Sequence, residues 1–342
     1  MKKKIWVTLI TLFAGGALAA CGNNADNEAN SDSEGNGDKL SIITTFYPIY
    51  DFTQNVVGDE GDVELLIPAG TEPHDFEPSA KQIAQIQDAD AFVYHDENME
   101  TWVPDTVEGW EEGNPNIVKG TEDIELMPGN EEEHDHDHGD EEEDHDHGEE
   151  EHEHSHEYDP HTWLDPKLAV KEVEAIRDQL SQDYPDKEEA FEENAENYIA
   201  ELEDLDQEYE SGFSDAQQKS FVTQHAAFGY LANEYDLNQV PISGLSPDEE
   251  PSPERLAELK DYVEDNDIHY IYFEENASDK IAQTLADEVG VELEVLNPLE
   301  SLTDNQIDNG EDYVSVMQDN LKALEKTTDT EGEEVQPEES TE

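Results

Sequence analysis

The sequence predicts an α/β fold in two lobes, each a small parallel β-sheet flanked by helices, joined by one long rigid helix. Three observations predict it. Short β-prone runs alternate with amphipathic helical stretches, which is the pattern of parallel sheets. The span 40–326 has room for two lobes of about 100–150 residues each. Residues 187–213 hold one helical pattern without Pro, whose first internal Gly is Gly212. At about 1.5 Å per residue such a helix spans roughly 35–40 Å, enough to bridge two lobes.

The elements follow in order. Residues 40–46 read as a buried strand leading into a helix that ends at Val57, and 63–67 as a strand ending at Pro68. Ser79 opens a helix to Ile86 with Ile83 and Ile86 at helical spacing, and 91–94 is a short strand. In 166–180 the apolar positions 168, 170, 173, 176 and 180 keep a 3.6-residue period. On the long helix Tyr198, Leu202, Leu205 and Tyr209 share one stripe. The second lobe restarts with a strand at 220–223 and a helix at 226–235. Ser252 is placed to cap a helix with Pro253 at its first position. A strand at 268–273, a helix at 280–289 and a last strand at 291–296 complete the lobe. The boundaries expected are 40–185 for the first lobe, 186–214 for the linking helix and 218–326 for the second lobe.

Lys2, Lys3 and Lys4 precede an apolar run at 5–13, then small residues and Leu18-Ala-Ala-Cys21. This reads as an export signal over 1–20, too short and wrongly flanked for a membrane span. Its ending matches a bacterial lipobox, with cleavage before Cys21 and lipid on the thiol. A single cysteine has no partner for an internal disulfide and fits lipidation. The protein is therefore expected outside the cytoplasm, lipid-anchored to the outer face of the cell membrane. Residues 21–39 read as a disordered tether and 327–342 as an acidic disordered tail.

The net charge is −76, which makes nucleic acid and anionic lipid poor partners. Residues 131–157 carry 16 of those charges, so the rest of the chain still sums to −60. The acidity is global, as in adaptation to high salt outside the cell, where repulsion is screened beyond about 3 Å at 1 M. Residues 131–157 hold eight histidines, His134, His136, His138, His145, His147, His152, His154 and His156, among acids, two Gly and one Ser. Such a segment cannot bury a core and is expected to be disordered, a dense set of weak metal sites.

Three of the other five histidines sit in loop-like settings at or near strand ends. His74 lies in Pro73-His-Asp-Phe-Glu-Pro78 and His161 in Asp159-Pro-His-Thr-Trp-Leu-Asp-Pro166, each between prolines that stiffen the backbone. His225 follows the strand at 220–223. Sites in open parallel sheets form at carboxyl ends of strands, so the three could converge. His95 and His269 read as structural or surface residues.

These motifs, in order with His225-Ala-Ala-Phe228 and with Phe273-Glu-Glu275 and Asn297-Pro-Leu-Glu300, are similar to those of the zinc-binding substrate-binding lipoproteins of bacterial ABC importers (the ZnuA/AdcA type). The resemblance covers about residues 40–325. It implies metal in the cleft between the lobes, held by His74 and His161 from the first lobe and His225 and Glu300 from the second. Glu274 or Glu275 is the alternative fourth ligand. It also implies a monomer that hands Zn²⁺ to a permease and its ATPase subunit. Some members carry a further C-terminal zinc-binding domain, where this sequence has the acidic tail.

Three imidazoles and a carboxylate suit Zn²⁺ over Mn²⁺, which favours oxygen. Asp75, Glu77, Asp159 and Asp165 are candidates to fix the second ring nitrogens. Two other readings compete with the receptor: a surface zinc buffer or adhesin working through the His-rich tract, and a zinc hydrolase with an open fourth position. No His-Glu-x-x-His motif supports the hydrolase.

Overall fold

The computed structural model describes residues 39–110, 115–129, 158–247 and 251–330. The expectations for the export signal, Cys21, the tether, the His-rich tract and the tail beyond 330 lie outside the described residues.

The first sheet is built from β1 (Leu40–Thr44), β2 (Gly61–Leu65), β3 (Ala91–Tyr94) and β4 (Asn116–Lys119), all parallel, in the order β2-β1-β3-β4. Helices α1 (Tyr47–Val57), α2 (Ala80–Asp88) and α3 (Val103–Val107) connect its strands, and α4 (Pro166–Asp183) packs beside them. The second sheet repeats the topology with β5 (Ser220–Thr223), β6 (Asn238–Pro241), β7 (Tyr270–Phe273) and β8 (Glu292–Val295), in the order β6-β5-β7-β8. Its helices are α6 (Gly229–Glu234), α7 (Pro253–Asp265), α8 (Lys280–Val289), α9 (Asp304–Asn309) and α10 (Tyr313–Thr328). In each sheet the chain first pairs to one side of the leading strand and then crosses to the other. That places a switch point, where ligands bind, beyond the carboxyl ends of the central strands.

Between the sheets runs α5 (Glu188–Phe213), 26 residues long. Phe191, Ala195, Tyr198, Leu202, Leu205, Tyr209 and Phe213 form its buried stripe, the spacing of one apolar face. That face meets α1 and α4 of the first lobe and α10 of the second. One apolar cluster runs from Ile42 and Phe52 through the α5 stripe to Phe221 and Leu324. Among the described residues no helix is long and apolar enough to cross a membrane.

Strands β3 and β5 are buried at every position, as parallel strands covered by helices on both faces must be. The edge strands β4 and β6, with sequences NIVK and NQVP, are only partly buried. The sequence pattern did not reveal them, nor α3, α9 and α10. The helix expected at 226–235 begins at Gly229, because the His225 carbonyl accepts from Thr223 Oγ1 at 2.8 Å and Gln239 Nε2 at 2.9 Å instead of from the next turn. Helix α10 runs past 327, the boundary expected for the acidic tail. Thr327 and Thr328 close α10 and are buried, with Tyr272 Oη at 2.7 Å from Thr327 Oγ1.

Candidate metal centre

Four side chains, three from loops beyond strands and one from a turn before a helix, meet between the lobes. His74 follows β2 and His225 follows β5 directly; His161 stands in the turn that leads into α4, and Glu300 lies beyond β8. One ligand atom of each lies within 4.8 Å of all the others, and all four residues are buried. Glu300 Oε1 is 3.4 Å from His74 Nε2, 3.3 Å from His161 Nε2 and 3.1 Å from His225 Nε2. A tetrahedron with arms of about 2.0 Å has edges of about 3.3 Å, so these spacings suit a four-coordinate borderline metal. His161 Nε2 is buried and its near polar neighbour is the Glu300 carboxylate, as suits a nitrogen turned toward a metal.

Each ligand is set by its backbone and by a neighbour. Glu72 Oε1 accepts the His74 backbone N–H at 3.0 Å, in the loop where the Gly70 N–H donates to Ser301 Oγ of the second lobe at 2.6 Å. Asp159 Oδ1 accepts both the backbone N–H of His161 at 3.0 Å and its Nδ1–H at 2.7 Å. Gly229 permits this approach, since a Cβ there would meet Asp159 Oδ2 at 3.0 Å. Tyr230 Oη donates to the Asp159 carbonyl at 2.7 Å and accepts the Met127 N–H at 2.7 Å. Below the turn, His95 Nε2 donates to the Pro160 carbonyl at 2.6 Å, while His95 Nδ1 lies 3.3 Å from buried Glu172. His225 Nδ1 pairs with Glu274 Oε1 at 2.5 Å.

The electrostatics are those of a site built for a cation. Burial drives His74 down to about 4, so its ring is neutral at pH 7. Burial opposes charge on His161 and His225 as well, but Asp159 raises the first and the charges of Glu274 and Glu300 hold the second well above the usual imidazole range. Glu300 stays well below the ordinary carboxylate range: burial acts against this, and the His225 charge with hydrogen bonds from the three rings overcomes it. Glu72, by contrast, is pushed up to about 9 by burial and by the Glu300 charge.

Of the two alternative fourth ligands, Glu274 takes the outer nitrogen of His225 and Glu275 is exposed. Asp159 fixes a ring, whereas Asp75 and Glu77 are exposed and Asp165 caps α4 through the Lys167 N–H at 2.8 Å. His269 is exposed just before β7; His95 is fully buried. The eight tract histidines lie outside the described residues. Sequence reasoning missed the outer role of Glu274 and the part played by Tyr230. Glu274 could have been placed by its position at the end of β7, beside β5 and His225.

Two parallel sheets facing each other across a buried His₃-carboxylate cluster define a two-lobed metal-binding protein. The ZnuA pattern, described as zinc-uptake complex component A, periplasmic, matches residues 42–327, and the chain belongs to this family. It is 56% identical over 337 residues to the zinc-binding lipoprotein AdcA of Streptococcus pneumoniae (strain ATCC BAA-255 / R6), covering 98% of this chain and 63% of that relative. It therefore spans less than two thirds of the length of that relative. It is 50% identical over 321 residues to the high-affinity zinc uptake system protein ZnuA of Bacillus subtilis (strain 168), covering 94% of this chain and 97% of the other. The Zn(II)-bound ZnuA-like domain of Streptococcus pneumoniae AdcA has the same fold, with a TM-score of 0.72 at 55% identity over 85% of this chain and 100% of that one.

Proposed function

We propose that this chain is the extracytoplasmic Zn²⁺ receptor of an ABC importer, held to the membrane by lipid on Cys21. It captures the ion as cargo through His74, His161, His225 and Glu300 and hands it to a permease served by an ATPase subunit. The convergence of three Nε2 atoms on one Glu300 oxygen carries the reading. Three imidazole nitrogens, giving up their protons as the metal binds, and one carboxylate complete a tetrahedron, which leaves no place for an activated water. The receptor reading accordingly gives the protein no catalytic step. The zinc named for the AdcA and ZnuA relatives supports the choice of metal, and nitrogen-rich ligation favours it over Mn²⁺.

A competitive zinc titration of the chain after Cys21, lacking residues 131–157, tests this against the buffer reading. The deletion suits the fold: Pro128 and Tyr158, on either side of the tract, form an antiparallel bridge, so the chain on its two sides already lies close together. One tight equivalent, lost on His225→Ala, is expected. A protein that binds no tight equivalent would place the function in the His-rich tract instead.

A further inference from the structure

We infer that Asn320, on α10 behind the site, is a positioning residue for Glu300, acting through Asn297 and a left-handed Leu299. The inference rests on Glu300 being the fourth ligand. The turn Asn297-Pro-Leu-Glu300 leaves β8 toward the three imidazoles, and Leu299 in it is fully buried with φ 61. A side chain with a Cβ is disfavoured in that region and stays there only when its surroundings over-determine it.

Those surroundings are four hydrogen bonds. The Asn297 N–H donates to Asn320 Oδ1 at 2.8 Å, and Asn320 Nδ2 donates to the Asn297 carbonyl at 2.7 Å. One buried amide thus takes both backbone groups of Asn297, as a neighbouring strand would, and carries the line of β8 on from Val295 to Asn297. The Asn297 side chain then accepts the Leu299 N–H at 2.7 Å, closing the turn in its left-handed form. From the first lobe, Trp163 Nε1 donates to the Pro298 carbonyl at 2.8 Å. With Asn320 removed, Asn297 loses both backbone partners. Leu299 can then relax toward negative φ, and a rotation one residue before Glu300 swings its carboxylate away from the Nε2 atoms. Asn320 therefore governs how fully the fourth ligand is presented, and with it the retention of zinc.

The experiment is a Zn²⁺ competition titration against a chromophoric chelator on the full chain, with thermal unfolding of each apo variant beside it. Asn320→Ala should weaken zinc by about 10–100-fold, the range for lost outer partners of a ligand. In a Glu300→Gln background the same change should add nothing. Combining Asn320→Ala with Leu299→Gly should recover part of the loss, because glycine takes positive φ without the Cβ clash. Should Asn320→Ala not fold, Asn320→Asp keeps the acceptor, loses the donor and should give an intermediate loss. Unchanged affinity in Asn320→Ala, or an equal fold loss in both backgrounds, overturns the inference alone. A Glu300→Gln variant as tight as the parent overturns the ligand reading and this inference with it.

Discussion

His161 and His225 each turn one ring nitrogen toward the convergent face and the other toward a carboxylate, Asp159 at 2.7 Å and Glu274 at 2.5 Å. Such a partner fixes both tautomer and ring orientation, so Glu274→Gln should weaken zinc by about 10–100-fold while leaving one equivalent bound. A chelator competition assay reads this, and loss of the whole equivalent would instead make Glu274 a ligand. His95 makes a second residue-scale case. Burial alone would lower its pKa, but the Glu172 charge raises it to about 9. A raised folded-state value contributes stability that is complete below the unfolded pKa of about 6.5 and fades as pH climbs through about 9. Glu172→Gln should therefore cost about 3–5 kcal/mol near pH 6, the range for breaking a buried pair, and less by pH 9. Urea unfolding across that range checks it, and a pH-independent difference would refute the charged pair. The three candidate ligand histidines were legible because prolines or a strand end frame them. His95 was not, since a lone His after an apolar run looks the same whether it faces water or a buried glutamate.

At the scale of elements, the long helix α5 organises the molecule, and its stripe was readable because a 3.6-residue period survives over 26 residues. Leu202 lies mid-stripe and is fully buried. Leu202→Ala should cost about 2–5 kcal/mol by lost burial and cavity formation, seen as a lower urea midpoint. Because the residue lies outside the metal centre, the number of zinc equivalents should hold; a variant that folds but binds no zinc would mean that α5 packing sets the lobes' approach directly. The central strands were equally legible as short β-prone runs: β3 (AFVY) and β7 (YIYF) are wholly apolar, and β1 (LSIIT) and β5 (SFVT) hold apolar residues among Ser and Thr. The edge strands β4 (NIVK) and β6 (NQVP) were not: they offer two apolar residues and a single valine, too few to make a pattern. The late helix start at Gly229 was hidden for another reason. Two side chains from outside the segment, Thr223 and Gln239, capture the His225 carbonyl, and no local propensity encodes that. The site shows the same division: the motifs located the loops and named Glu300 with Glu274 or Glu275 as the alternative, while the pairing of Glu274 with the outer nitrogen of His225 depends on strand order.

For the whole molecule the dominant fact is charge, with 92 acidic against 16 basic side chains. Sixteen cations cannot pair most of 92 carboxylates, and among the described residues some carboxylates share a cation, as Asp206, Glu210 and Glu234 do around Lys167. Added salt has two opposite effects on such a surface. It weakens these exposed ion pairs, each worth about 0–1 kcal/mol at best, and it screens the repulsion among the unpaired acids. Repulsive pairs greatly outnumber attractive ones here, and folding brings them closer together than the unfolded chain does. The second effect therefore wins, and the metal-free protein should gain several degrees of Tm between 0.1 and 1 M KCl, as the Debye length falls from about 10 Å to about 3 Å. Potassium chloride is the salt to use, because sulfate also strengthens apolar burial and would give a rise for a different reason. The gain should shrink when exposed α5 glutamates such as Glu192, Glu196 and Glu203 are changed together to Gln, since the source of repulsion is then removed. A Tm that falls with KCl, or a gain unaffected by those substitutions, would mean that the few ion pairs and not the excess of carboxylates decide stability.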